Sequence, residues 1–86
     1  MKLNAYAIYD LVAQNFNRPY FLKTDAQATR SFSDEVNRPS EDNSLYKHPN
    51  DYQLFRLGEF DDDTGLIVPE THPVMVVSAA SLTAKE

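Results

Sequence analysis

Tyr52-Gln53-Leu54-Phe55-Arg56-Leu57-Gly58-Glu59-Phe60-Asp61-Asp62-Asp63-Thr64-Gly65-Leu66-Ile67-Val68 is the stretch whose reading decides the fold. From Tyr52 to Phe60, Gln53, Phe55, Leu57 and Glu59 alternate with Tyr52, Leu54, Arg56 and Phe60, the period of a strand. Gly58 inside it is a candidate bulge. Asp61 to Gly65 reads as a turn, where Asp suits the geometry and Gly65 accepts a positive φ. Leu66-Ile67-Val68 then returns as the next strand, so the segment is a hairpin and the sheet antiparallel.

Working outward toward the C-terminus, Pro69 to Pro73 reads as a second turn and Val74-Met75-Val76-Val77 as a short apolar strand. Residues 78–86 are small and polar and read as a loosely ordered tail. Toward the N-terminus, Ser40 to Asp51 is a polar connection. Before it, Asp25 to Asn37 is the best helix signal. Thr24 followed by Gln27 matches a capping box, Asp25 complements the positive end of the macrodipole, and Ala28, Phe32 and Val36 form one apolar stripe. Pro39 stops it. A short strand at Tyr20 to Lys23, with Pro19 at its entrance, suits an edge. Gln14 to Pro19 reads as a loop. Leu3 to Tyr9 carries apolar groups on both faces (Leu3, Ala5, Ala7 and Tyr9 on one, Tyr6 and Ile8 on the other), which suits a central strand covered on both sides. The expected architecture is α+β in the order ββαβββ. It is a largely antiparallel sheet of four to five strands with one helix packed on a face, forming a single domain over residues 1–77.

Composition bounds the function. The 86 residues are 42% hydrophobic, enough to offset ordering entropy in one small domain. No cysteine is present, which excludes disulfides, thiolate metal sites and a Cys nucleophile. The first residues do not read as a signal peptide, and no stretch approaches the roughly 18 apolar residues of a membrane span. The net charge of −5 argues against an electrostatically driven duplex binder. It leaves single strands open, because stacking on aromatic rings contributes there.

Catalytic chemistry finds little support. Asp61-Asp62-Asp63 clusters carboxylates but lacks the alternating ligands and distant Glu of a calcium loop, so it reads as a solvated turn. His48 and His72 each precede a Pro in a polar segment and have no metal-ligand spacing. Ser44, His48 and Asp51 are not accompanied by a nucleophile elbow, and two glycines cannot build a dinucleotide or P-loop cradle. The chain reads as a non-enzyme without metal or cofactor. What stands out is aromatic residues interleaved with cations. Arg18, Tyr20, Phe21 and Lys23 form one such group, Tyr52, Phe55 and Arg56 a second, and Arg30 lies on the helix between them. Strand-borne rings flanked by Arg and Lys are how sheet proteins stack bases and hold phosphates. The competing reading is core packing, because alternate strand positions must face a core.

Several separated blocks also resemble one family. Met1-Lys2-Leu3-Asn4-Ala5-Tyr6-Ala7-Ile8-Tyr9-Asp10, Thr24 to Asn37 and Lys47 to Gly65 are similar, in this order, to the small nonstructural protein of gokushoviruses, the VP5-type protein of single-stranded DNA phages of the microvirus group. The resemblance covers nearly the whole chain. It implies a non-capsid role in genome replication, in the host cytoplasm, at the switch from duplex replication to single-strand genome synthesis, with DNA binding. It brings no catalytic motif.

Two functions are therefore expected to compete. One is single-stranded DNA binding, with Tyr20, Tyr52, Phe21 and Phe55 stacking bases and Arg18, Lys23, Arg30 and Arg56 meeting phosphates. The other is an acidic protein-interaction module that recruits or inhibits a host or phage replication protein through Glu41-Asp42 and the Asp run. A metal-dependent nuclease built on the carboxylates is the weakest alternative. A homodimer through a shared sheet edge or face is a further expectation.

Overall fold

The structure, a computed structural model, describes residues 1–84. Strand β1 (Lys2–Asp10) is central. On one side it pairs with β2 (Asn15–Phe16) and β3 (Tyr20–Leu22), and on the other with β4 (Tyr52–Asp61), which pairs in turn with β5 (Leu66–Ser78). Every pairing is antiparallel. Helix α1 (Asp25–Val36) lies on one face of the sheet. The connection from α1 to β4 holds the short helix α2 (Ser44–Lys47) and a 3-10 turn at Pro49–Asp51.

Local sequence sets the helix. Thr24 Oγ1 accepts from the Gln27 N–H at 3.1 Å as expected of the box, while Gln27 Oε1 reaches one residue past the cap and accepts from the Lys23 N–H at 3.0 Å. Ala28, Phe32 and Val36 are all buried, against Tyr6, Leu54 and Ala79. Beyond the helix, Asn43 is buried and fully used. Its Nδ2 donates to the carbonyls of Glu35 at 2.7 Å and Arg38 at 2.9 Å, while its Oδ1 accepts from the Leu45 N–H at 3.1 Å. One amide thereby ties the start of α2 to the end of α1.

The strand order corrects the expected ββαβββ to βββαββ, for two reasons. First, Asp10 reverses the chain through the apolar stretch Leu11-Val12-Ala13, ahead of the polar segment Gln14 to Pro19. Its Oδ1 accepts from the N–H groups of Val12 at 2.9 Å and Ala13 at 3.1 Å, and Gln14 takes a left-handed φ of 59°. Asn15 and Phe16 then return beside Asp10 and Tyr9 as β2, where a loop was expected. Second, Pro69 to Pro73 does not reverse the chain. Gly58 stands opposite Pro69 and Arg56 opposite Val74, so residues 70–73 bulge outward opposite Leu57 alone. The prolines cannot donate to the ladder, yet the strand resumes its register, and the two expected strands Leu66–Val68 and Val74–Val77 are one. The expected edge position of β3 matches its pairing with β1 alone.

In the segment 78–86, Ala79–Leu82 form a 3-10 turn with Ala79 fully buried. Asn37 holds it: Nδ2 donates to the Leu82 carbonyl at 3.0 Å and Oδ1 accepts from the Ala84 N–H at 2.8 Å. This part of the segment packs on the core instead of trailing as a tail. Lys85 and Glu86 lie outside the described residues.

Candidate functional site

Strand alternation divides the expected binding residues between two faces. Tyr6, Tyr20, Tyr52, Leu54 and Arg56 face α1. Tyr20 stands opposite Tyr6, with ring centroids 6.3 Å apart, and Tyr52 packs half-buried on the core. Arg56 is already occupied. Its Nη1 donates to Asp25 Oδ2 at 2.6 Å and its Nε to Glu70 Oε2 at 2.9 Å. The Glu70 hydrogen bond, with the negative charge of Asp25 behind it, raises the guanidinium's pKa above its usual value. A phosphate approaching Arg56 would have to displace carboxylates, so the expected phosphate contact there is not freely offered.

Beneath this pair lies Tyr6, which has no exposed surface. Its Oη donates to Asp25 Oδ1 at 2.6 Å and accepts from Asn4 Nδ2 at 3.0 Å. Burial first, and the bond to Asp25 second, push its pKa from 10.0 up to about 12. The folded state therefore holds the phenol proton more tightly than the unfolded chain. Stability from this group is fully present below pH 10 and is lost as pH rises toward about 12. Urea midpoints measured from pH 8 to pH 12 are expected to fall by the equivalent of about 2 kcal/mol over the upper two units. Tyr6→Phe should flatten that part of the profile.

Cations gather at the start of the helix. Lys23 and Arg30, both exposed and neither in an ion pair among the described residues, line one depression of about 280 Å³ with Thr24 and Gln27. Lys23 also lines the neighbouring cleft of about 570 Å³ with Asp25, Arg56 and Glu70. Further along α1, Tyr20 lines a depression of about 510 Å³ with Ile8, Ser31 and Asp34. Burial raises the Tyr20 phenol pKa. Tyr20, Lys23 and Arg30 therefore share the flank between β3 and α1. Arg18 is exposed in the connection between β2 and β3.

Phe21 and Phe55 point the other way. The face of the sheet turned from α1 carries Leu3, Ala5, Ala7 and Tyr9 on β1, and their register partners follow the same side: Phe16, Phe21, Gln53, Phe55, Gly58 and Phe60. On β5 the partners are Ile67, Pro69, Met75 and Ser78. None of these positions is charged. The rings form two groups. Tyr9, Phe16 and Phe55 have centroids 4.8 to 6.0 Å apart, and Phe21 and Phe60 are 5.6 Å apart. Phe16 and Phe21 remain 40% and 43% exposed. The eight expected residues thus do not make one patch: the two Phe rings lie across the sheet from Lys23, Arg30 and Arg56. Sequence reading missed Tyr9, Phe16, Phe60, Ile67 and Met75. The signal was the second apolar side of β1, which a single helix cannot cover.

At the hairpin tip, the carboxylates of Asp61, Asp62 and Asp63 come within 4.8 Å of one another. The Met1 amino group lies 2.7 Å from Asp62 and 2.9 Å from Asp63, so a cationic group already meets this charge. His48 and His72 are exposed. No helix among the described residues is long and apolar enough to cross a membrane.

Taken together, these features define a two-layer α+β domain with one sheet face under a helix and the other open. The chain belongs to the phage ORF5 protein family, whose model matches residues 3–82. It is thereby a phage protein, and the family's description assigns it no role. No curated protein matches the chain. No solved structure matches it either.

Proposed function

We propose that the chain is a non-enzymatic accessory protein of phage genome replication, of the gokushovirus VP5 type. In this reading it binds single-stranded DNA along the flank between β3 and α1 and regulates the switch to single-strand genome synthesis in the host cytoplasm. The observation that carries the reading is the convergence of the exposed cations Lys23 and Arg30 on one depression, with Tyr20 further along the same flank. The resemblance of Met1 to Asp10, Thr24 to Asn37 and Lys47 to Gly65 to gokushovirus proteins supports the replication role. The arrangement uses no cofactor. Two cations can meet two phosphates, and each contact to a single strand contributes about −0.7 to the slope of log K against log salt. Anisotropy titration with a single-stranded oligonucleotide is expected to give a slope of about −1.4. The double variant Lys23→Ala/Arg30→Ala should remove most of the slope and weaken low-salt binding by about 10-fold. Absence of binding at low salt removes this reading.

A protein-interaction module is the second reading, favoured by the acidic groups exposed before α2 and at the hairpin tip, Glu41, Asp42, Asp62 and Asp63, which suit a basic protein surface.

A further inference from the structure

We infer that the open face of the sheet is covered by a second copy of this chain, so that the working unit is a homodimer layered helix, sheet, sheet, helix. An antiparallel sheet with one side in water normally carries polar residues on that side. Here the outward positions hold five aromatic rings and no charge, and Phe21, Ile67 and Met75 are 43%, 62% and 51% exposed. The chain exposes 5667 Å², where a folded monomer of its mass exposes about 5,200 Å².

Area and charge select the occupant. Four strand rows spaced about 4.8 Å, over about nine residues of about 3.4 Å each, make a face of roughly 600 Å² before side-chain relief is added. That approaches the roughly 800 Å² per partner of a standard stable interface. Each copy carries a charge of −5, so two copies repel wherever their carboxylates meet. Among the described residues, the strand positions of the open face hold no carboxylate. Packed sheet to sheet at about 10 Å, two copies would keep the charged groups that flank α1 on the outside, separated by more than the roughly 8 Å screening length. A two-fold contact of this kind is isologous and closes on itself. Nucleic acid is disfavoured on this face for want of a cation. The inference goes beyond the DNA reading and does not rest on it.

Sedimentation equilibrium of the full chain from about 1 to 200 µM tests it, since standard interfaces give micromolar or tighter association. The expected mass is twice 9.8 kDa. Phe21→Glu should weaken the dimer by about 100-fold, because the new carboxylate would be buried without a partner. Phe21 is partly exposed, so the monomer should keep its circular dichroism spectrum. Met75→Glu is the second variant, in case Phe21→Glu fails to fold. Val12→Glu, at a 75% exposed position on the turn after β1, should leave the dimer unchanged. A monomer throughout the range, open-ended assembly beyond a dimer, or a dimer indifferent to both face variants would each overturn the inference. The same variants in the DNA titration keep the two results separate.

Discussion

Phe32→Ala is expected to remove a large share of the stability of this protein. Phe32 is 2% exposed and sits at the centre of the buried stripe of α1, against Tyr6 and Leu54. Truncating a fully buried Phe loses its transfer free energy and leaves a cavity, a combined cost of about 3–5 kcal/mol. The whole domain has little in reserve: at roughly 0.05–0.15 kcal/mol per residue, a chain of this length is stable by about 4–13 kcal/mol. The core is small: its largest fully buried side chains are Tyr6, Leu54 and Val36. Urea unfolding should show a much lower midpoint with the slope unchanged, which identifies a change in stability and not in compactness. Phe32→Leu keeps much of the volume and should cost about 1.5 kcal/mol or less. Equal losses for Ala and Leu would show that volume at this position is not what holds the helix to the sheet.

Gly58→Ala should be nearly as damaging, by a different cause. A Cβ at Gly58 would collide with the backbone carbonyl oxygen of Val68 and lie 2.8 Å from the Cα of Pro69. Both obstacles are main chain, so no side chain can rotate away. Strand β5 must move, and the rung from Gly58 to Pro69 just before the outward bulge is the one that opens. Overpacking of this kind costs about 3 kcal/mol. The opposing gain from restricting the unfolded chain is about 0.4–1 kcal/mol, so the steric effect decides the sign. Hydrogen exchange should locate the damage: amides of residues 66–68 lose protection while β1 and the near half of β4 keep theirs. Undiminished protection there would refute the close-contact account. Ile67 belongs to the same stretch, so Gly58→Ala should also weaken self-association if the open face pairs as inferred.

These two residues show how far the sequence could be read. Phe32 was legible because a helix repeats every 3.6 residues, so Ala28, Phe32 and Val36 declare a buried stripe without reference to anything distant. Thr24 and Gln27 declared the helix start in the same way, through bonds that span a few residues. Gly58 was read as a bulge. The register does shift beside it, skipping Leu57, but the need for glycine comes from β5 crossing close by, a contact between strands. Arg56 is the clearest reversal. Its place among aromatics on a strand made it an expected phosphate ligand, and only the fold brings Asp25 and Glu70, distant in sequence, to within hydrogen-bond distance of it.

The sequence by itself determined the helix, the hairpin, the central strand and the α+β class, because each rests on periodicity or on short-range bonds within a single element. Tertiary structure alone decided which side of each strand met α1, that residues 66–78 form one strand, and that the cations and the Phe rings part to opposite faces. The reason is parity: side chains alternate across a sheet, so one bulge or one reversed residue reassigns every side chain beyond it, and that count is set by pairing between strands.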